Sequence, residues 1–163
     1  VTPVDWSLFP CGLGDVVVRT IDGAEAWAGG AIVLREDAPV AALLIAPDAT
    51  GEHALYVRPR PLLDIGWLVL VRPEEVAVGR EPPSTLEIGA LRFERRRRLP
   101  MWTQTLGTGT PGLGGTAILG EYASADGKMA VVLVSEGTAR VWRGERLAEG
   151  AYEVWTRGAD KRG

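Results

Sequence analysis

The sequence predicts an all-β protein with little helix, and three observations carry that prediction. Short β-branched or alternating segments recur along the chain. Turn pairs such as Asp22-Gly23, Asp126-Gly127 and Glu136-Gly137 separate them. No stretch holds an i, i+3, i+4, i+7 apolar pattern for three turns. The chain also echoes itself. Gly29-Gly30 recurs as Gly114-Gly115, and the same offset of 85 sets Leu34 against Leu119, Glu36 against Glu121, Arg58 against Arg143, Leu62 against Leu147 and Val69 against Val154, with Trp67 opposite Tyr152. We read this as an internal duplication: two antiparallel meanders that bury their apolar faces against each other, in a sandwich or a partly open barrel.

In chain order, residues 1–14 carry Pro3, Pro10 and the Cys11-Gly12 pair and should be irregular, anchored by Trp6, Leu8 and Phe9. Strands are expected at Asp15 to Thr20, Ala24 to Trp27, Ile32 to Glu36, Val40 to Ala46, Ala54 to Arg58 and Ile65 to Val71, with a loop from Pro47 to Glu52. Residues 73–83, acidic and proline-bearing, form the connection, so that 1–72 and 84–163 are the two repeats of one compact unit. Pro73-Glu74-Glu75 suits a single helical turn, because proline and acids favour a first turn. Leu86 to Arg98 alternates as one strand, with Leu91, Phe93, Arg95 and Arg97 on one face. Pro100 to Gly115 is rich in glycine and threonine and is expected to be a long loop. Strands follow at Ala117 to Tyr122, Met129 to Ser135, Thr138 to Arg143 and Tyr152 to Thr156.

A chain of 163 residues, 46% hydrophobic and 24% charged, suits one folded domain rather than a disordered segment. The net charge of −3 disfavours nucleic acid or acidic lipid as a partner. Cys11 is the one cysteine, so neither an internal disulfide nor a cysteine metal cage can form. No apolar run reaches the roughly 18 residues of a membrane span, and no leader pattern opens the chain. The expectation is a soluble, cytoplasmic protein without metal or cofactor.

Leu13-Gly14-Asp15, the run Ile88 to Phe93 (IGALRF), Gly120 to Lys128 (GEYASADGK) and Trp142 to Leu147 (WRGERL) together resemble a bacterial family of duplicated β-rich domains, domain-of-unknown-function family 4178. The resemblance spans most of the chain and implies a duplicated β fold. The family has no established activity, so the resemblance implies no catalytic residue.

The segment from Phe93 to Gly115 carries the densest chemistry. Arg95 to Arg98 offers planar guanidinia suited to carboxylate or phosphate, or else a charged edge strand paired internally. Trp102 lies between this run and the glycine-rich stretch Gly107 to Thr116, and tryptophan beside arginine is the composition of a binding hot spot. That stretch has P-loop-like spacing, but Gly115 stands where the lysine is needed and no helix follows, so it reads as a surface loop. Of the other tryptophans on or beside strands, Trp27, Trp67, Trp142 and Trp155, most are expected to fill the core and give their N–H to a carbonyl. His53, the one histidine, is placed in a loop and cannot build a typical zinc site alone.

The expected function is therefore non-enzymatic: a binding or assembly module meeting a protein partner through Phe93, Arg95, Arg97, Trp102, Gly109 and Gly112. A second expectation is a small ligand or carbohydrate in an aromatic-lined barrel mouth. A third, hydrolysis by Glu36 and Glu121, requires those carboxylates to converge in a cleft.

Overall fold

The computed structural model describes residues 3–47 and 52–156, in twelve strands and two short 3₁₀ turns. The expected loop after Pro47 falls at residues 48–51, outside the described residues. The first 3₁₀ turn, Trp6–Leu8, is capped by the Asp5 carboxylate, which accepts from the Ser7 N–H at 3.1 Å. Trp6 then packs on the buried Phe9, and the N-terminal anchor forms as expected. The chain continues into β1 (Val16–Arg19), turns at Asp22-Gly23 and returns as β2 (Glu25–Trp27).

Two four-stranded antiparallel meanders follow. The first is β3 (Gly30–Arg35), β4 (Pro39–Pro47), β5 (Glu52–Val57) and β6 (Ile65–Leu70). After the connection comes β7 (Thr85–Ile88), and then the second meander, β8 (Leu91–Gly107), β9 (Thr116–Ser124), β10 (Lys128–Ser135) and β11 (Thr138–Leu147). The last strands pair, Trp142 opposite Leu70 and Leu147 opposite Ile65. The first strands pair as well, Gly30 opposite Gly107 and Arg35 opposite Trp102. These two seams close the eight strands into a barrel, in place of the sandwich or partly open barrel expected. The final strand, β12 (Tyr152–Trp155), leaves the barrel and joins β1 and β2 in a separate three-stranded sheet.

The offset of 85 does not follow this division. It sets β3 against β9 and β6 against β12, whereas β12 lies in the small sheet. Glu36 sits in the turn between β3 and β4, while Glu121 is buried within β9.

The barrel wall is covered on much of both faces, which explains runs that alternation alone does not. Ala41 to Ala46 are all buried: Leu43 and Ile45 face the interior with Ile32, Leu34, Leu119 and Leu133, while Ala42, Leu44 and Ala46 face out against Val17, Ala26, Phe9 and Cys11. A third cluster lies outside the second meander. There Val132, Val134, Phe93 and Tyr122 pack beneath Val76, Val78, Leu86 and Ile88. Residues 73–83 are thus a strap over this outer face, opening with the expected single turn at Pro73–Glu75. Pro82 crosses Gly120 so closely that a Cβ there would come within 2.7 Å of its ring. Trp142 fills the interior, yet its Nε1 has no hydrogen-bond partner among the described residues, unlike the paired indole expected.

Strand limits differ from expectation in one region. Leu86 to Arg98 is not one strand: Gly89, with φ of 59°, turns the chain between β7 and β8. β8 then runs through Pro100 to Gly107, where a loop was expected, because Trp102 to Gly107 pair with β3. The true loop is shorter, from Thr108 to Gly115. His53 lies within β5.

Candidate functional site

The arginine run is where the alternation breaks. Arg95 stands opposite Tyr122 and Arg97 opposite Glu121, so Arg96 is one residue too many for the ladder, a β-bulge. A bulge resets the two-residue period. Arg95 therefore points outward, where its Nη1 donates to the Pro82 carbonyl at 2.9 Å, while Arg97 points into the barrel. The expectation that Phe93, Arg95 and Arg97 share a face is corrected by this one extra residue. Phe93 is fully buried beneath the strap.

Inside, Arg97 meets Glu121 with two parallel bonds, Nε to Oε1 at 2.8 Å and Nη2 to Oε2 at 2.9 Å. The Tyr56 hydroxyl donates to Oε2 as well, and Arg58 Nη1 stands 3.7 Å from Oε1. Glu121 is 8% exposed and Tyr56 3%. Burial alone would raise the Glu121 pKa, but the bonds from Arg97 and Tyr56 and the charges of Arg58 and Arg97 outweigh it and hold the carboxyl below its usual range. The Tyr56 hydroxyl is pushed well up, by burial first and by the Glu121 charge second. The carboxylate is the acceptor of this cluster and the tyrosine its neutral donor.

The cluster floors a cavity of about 220 Å³ at one mouth of the barrel, whose rim includes Arg58, Arg96, Arg146 and Asp64. Its ring systems are Tyr56 and Tyr122 rather than tryptophan. In the sequence Tyr56 carries no feature that singles it out, and Arg58 and Arg146 stand out only as members of the repeat and of the WRGERL run. The signal available was phase: Arg58 continues the inward set Ala54 and Tyr56 on β5, and Glu121 continues Ala117 and Leu119 on β9.

A second, larger cavity of about 630 Å³ lies on the outer face beyond the strap. Pro100, Trp102, Ile118 and Val134 form its apolar floor, with Arg35 and Arg80 on its margin. Trp102 is 63% exposed. It sits where β8 passes from its pairing with β9, at Thr116, to its pairing with β3, at Arg35. Acidic turn residues Glu36, Asp37 and Glu136 complete the margin.

The six residues expected to make one surface are thus dispersed. Trp102 lines the outer cleft and Arg97 the barrel mouth, while Phe93 is core and Arg95 binds the strap. A Cβ on Gly109 would meet Pro47 and Ile45, whereas one on Gly112 would enter open space. The loop between them and β9 is pinned, with the Thr108 N–H donating to the Gly29 carbonyl and the Gly114 N–H to Ser135 Oγ. Glu36 and Glu121 line different cavities and do not converge. Among the described residues no group of three or more His, Cys, Asp or Glu side chains is placed to hold a metal, and no helix is long and apolar enough to cross a membrane. Comparison with family models, curated proteins and solved structures finds no match to the chain.

Proposed function

We propose that the chain is a binding module whose outer cleft takes a segment of a protein partner, with Trp102 as the anchor. The exposure of Trp102 over a formed cleft carries the proposal. A large indole left in water at the lip of an apolar floor costs hydrophobic stabilisation in the free protein and recovers it on binding. Aromatic anchors beside arginine are the usual centres of interface energy. The margin suits a polypeptide: Arg35 and Arg80 offer donors to backbone carbonyls or acids, and Glu36, Asp37 and Glu136 offer acceptors to amides or bases. The proposed surface thus keeps Trp102 from the 93–115 segment but draws its charges from the β3–β4 turn and the strap rather than from Arg95 and Arg97.

The test is affinity capture from native extract with three baits: the wild type, Trp102→Ala, and Arg58→Gln as a change in the other cavity. A partner held by the wild type and by Arg58→Gln, and weakened about 30-fold in Trp102→Ala, fits a hot-spot loss of about 2 kcal/mol. A partner held equally by all three baits would place the contact elsewhere.

A further inference from the structure

We propose that the barrel mouth at Glu121 is an anion site for a compact oxyanion, of the size and charge of a phosphate group. It is separate from the Trp102 cleft and stands without it.

The argument begins with the charge count. Four guanidinia, Arg58, Arg96, Arg97 and Arg146, line one cavity with two carboxylates, Glu121 and Asp64, leaving two positive charges in excess. Every arginine stays charged, because the guanidinium cannot be deprotonated in a protein. Like charges gathered at a partly enclosed mouth repel in a medium less polar than water, and a bound dianion removes that repulsion.

Donor capacity points the same way. Glu121 already accepts two bonds from Arg97 and one from Tyr56, and Arg58 stands 3.7 Å from its Oε1, beyond hydrogen-bond reach. Arg146 reaches Asp64 only at 3.9 Å. Arg96 has no ion pair among the described residues, and the bulge brings it to the same cavity as Arg97. Each guanidinium has five N–H donors, so the mouth holds many more donors than its two carboxylates can accept. The role of Glu121 follows from its burial: it is the fixed floor that holds the Arg97 plane and the Tyr56 ring in place. Such positioning means that little side-chain ordering remains to oppose binding.

Size selects the ligand class. At about 220 Å³ the cavity falls below the roughly 300–1,000 Å³ of pockets for drug-sized ligands. That is room for a compact group such as one tetrahedral oxyanion. Free inorganic phosphate and the terminal phosphoryl group of a larger molecule present the same chemistry, and the experiment separates them.

Inorganic phosphate is titrated into the full chain by calorimetry at constant ionic strength, with chloride as the control and a phosphorylated serine peptide as a second arm. Saturable binding at one site is expected, and the more strongly bound of the two probes identifies the source. Arg58→Gln and Arg96→Gln should each weaken that binding about tenfold or more, as expected for loss of a charge-assisted contact. Arg35→Gln and Arg80→Gln, in the other cleft, should leave it within about twofold. Unchanged melting temperatures would separate these effects from unfolding, and Arg96, exposed and outside any ion pair among the described residues, is the safest change on that score. The proposal is overturned if neither probe saturates, or if Arg58→Gln and Arg96→Gln bind as the wild type does.

Discussion

Glu121 is a carboxylate placed where an apolar side chain would ordinarily stand, inside a barrel and in phase with Ala117 and Leu119. Its cost of burial is offset by the two-bond pairing with Arg97 and the bond from Tyr56. Removing one partner is therefore more costly than the pair's net worth. Glu121→Gln should destabilise the fold by about 3 kcal/mol, since Arg97 would keep its charge with half of its acceptors gone. Tyr56→Phe should cost about 1.5–3 kcal/mol, the range for a hydrogen bond to a charged group, and should let the Glu121 pKa rise. The pH dependence has a definite sign. The folded-state value lies below the ordinary 4.5, so the stabilisation is complete above that pH and is lost as pH falls through the folded value. Urea unfolding at about pH 7 and about pH 3 checks this: the wild type should lose more stability on acidification than Glu121→Gln. Asp22, held at about 2 by its bonds to Arg19 and Ala24, titrates in both proteins and cancels in the comparison. Equal losses in the two proteins would remove Glu121 from the account.

At the scale of elements, most strands were legible because each is bounded by a turn that the sequence names. Asp22-Gly23 and Glu136-Gly137 turn the chain where expected, with Gly23 and Gly137 at positive φ. Two things were not legible. Phase across Arg95 to Arg98 looks regular, since four identical residues cannot reveal which one bulges; pairing with Tyr122 and Glu121 decides it. The reach of β8 past Pro100 is hidden as well, because Thr103 and Thr105 run straight on into the glycine-rich stretch that begins at Gly107. Their strand character is imposed by a distant partner, β3, through Thr103 opposite Leu34 and Thr105 opposite Ile32. The candidate site suffered from the same limit. Tyr56, Arg58, Arg97 and Glu121 come from three strands, and only closure brings them together. The seam between β6 and β11 has its own weak point. Gly144 lies so close to the Trp67 carbonyl oxygen that a Cβ would collide with backbone, which cannot swing aside as a side chain can. Gly144→Ala should cost about 1–3 kcal/mol by overpacking and lower Tm by about 3–10 °C. A melting curve matching the wild type's would show that the seam can part without cost.

The whole molecule depends on two seams that both cross between the halves. The first meander alone leaves β3 and β6 as open edges, and the second leaves β11 open, and β8 open wherever β7 does not cover it. Separation also strips interior residues such as Ile32, Leu43, Leu119 and Leu133 of partners from the opposite wall, exposing a face that folded chains do not leave wet. The outer clusters are shared too. Val71, at the end of the first half, donates its N–H to the Val141 carbonyl and packs among Phe93, Val132 and Val141. The small sheet binds β1 of the first half to β12 of the second, Val17 opposite Val154. Splitting the chain between Arg72 and Pro73, at an exposed turn, should therefore yield two fragments that each lack a cooperative thermal transition. Mixed in equal amounts, they should recover the β circular-dichroism signal and one shared transition, whose midpoint rises with fragment concentration because association is now part of folding. If residues 73–163 alone melt cooperatively at the midpoint of the intact chain, the two meanders are independent domains, and closure of the barrel contributes nothing to the stability of the second.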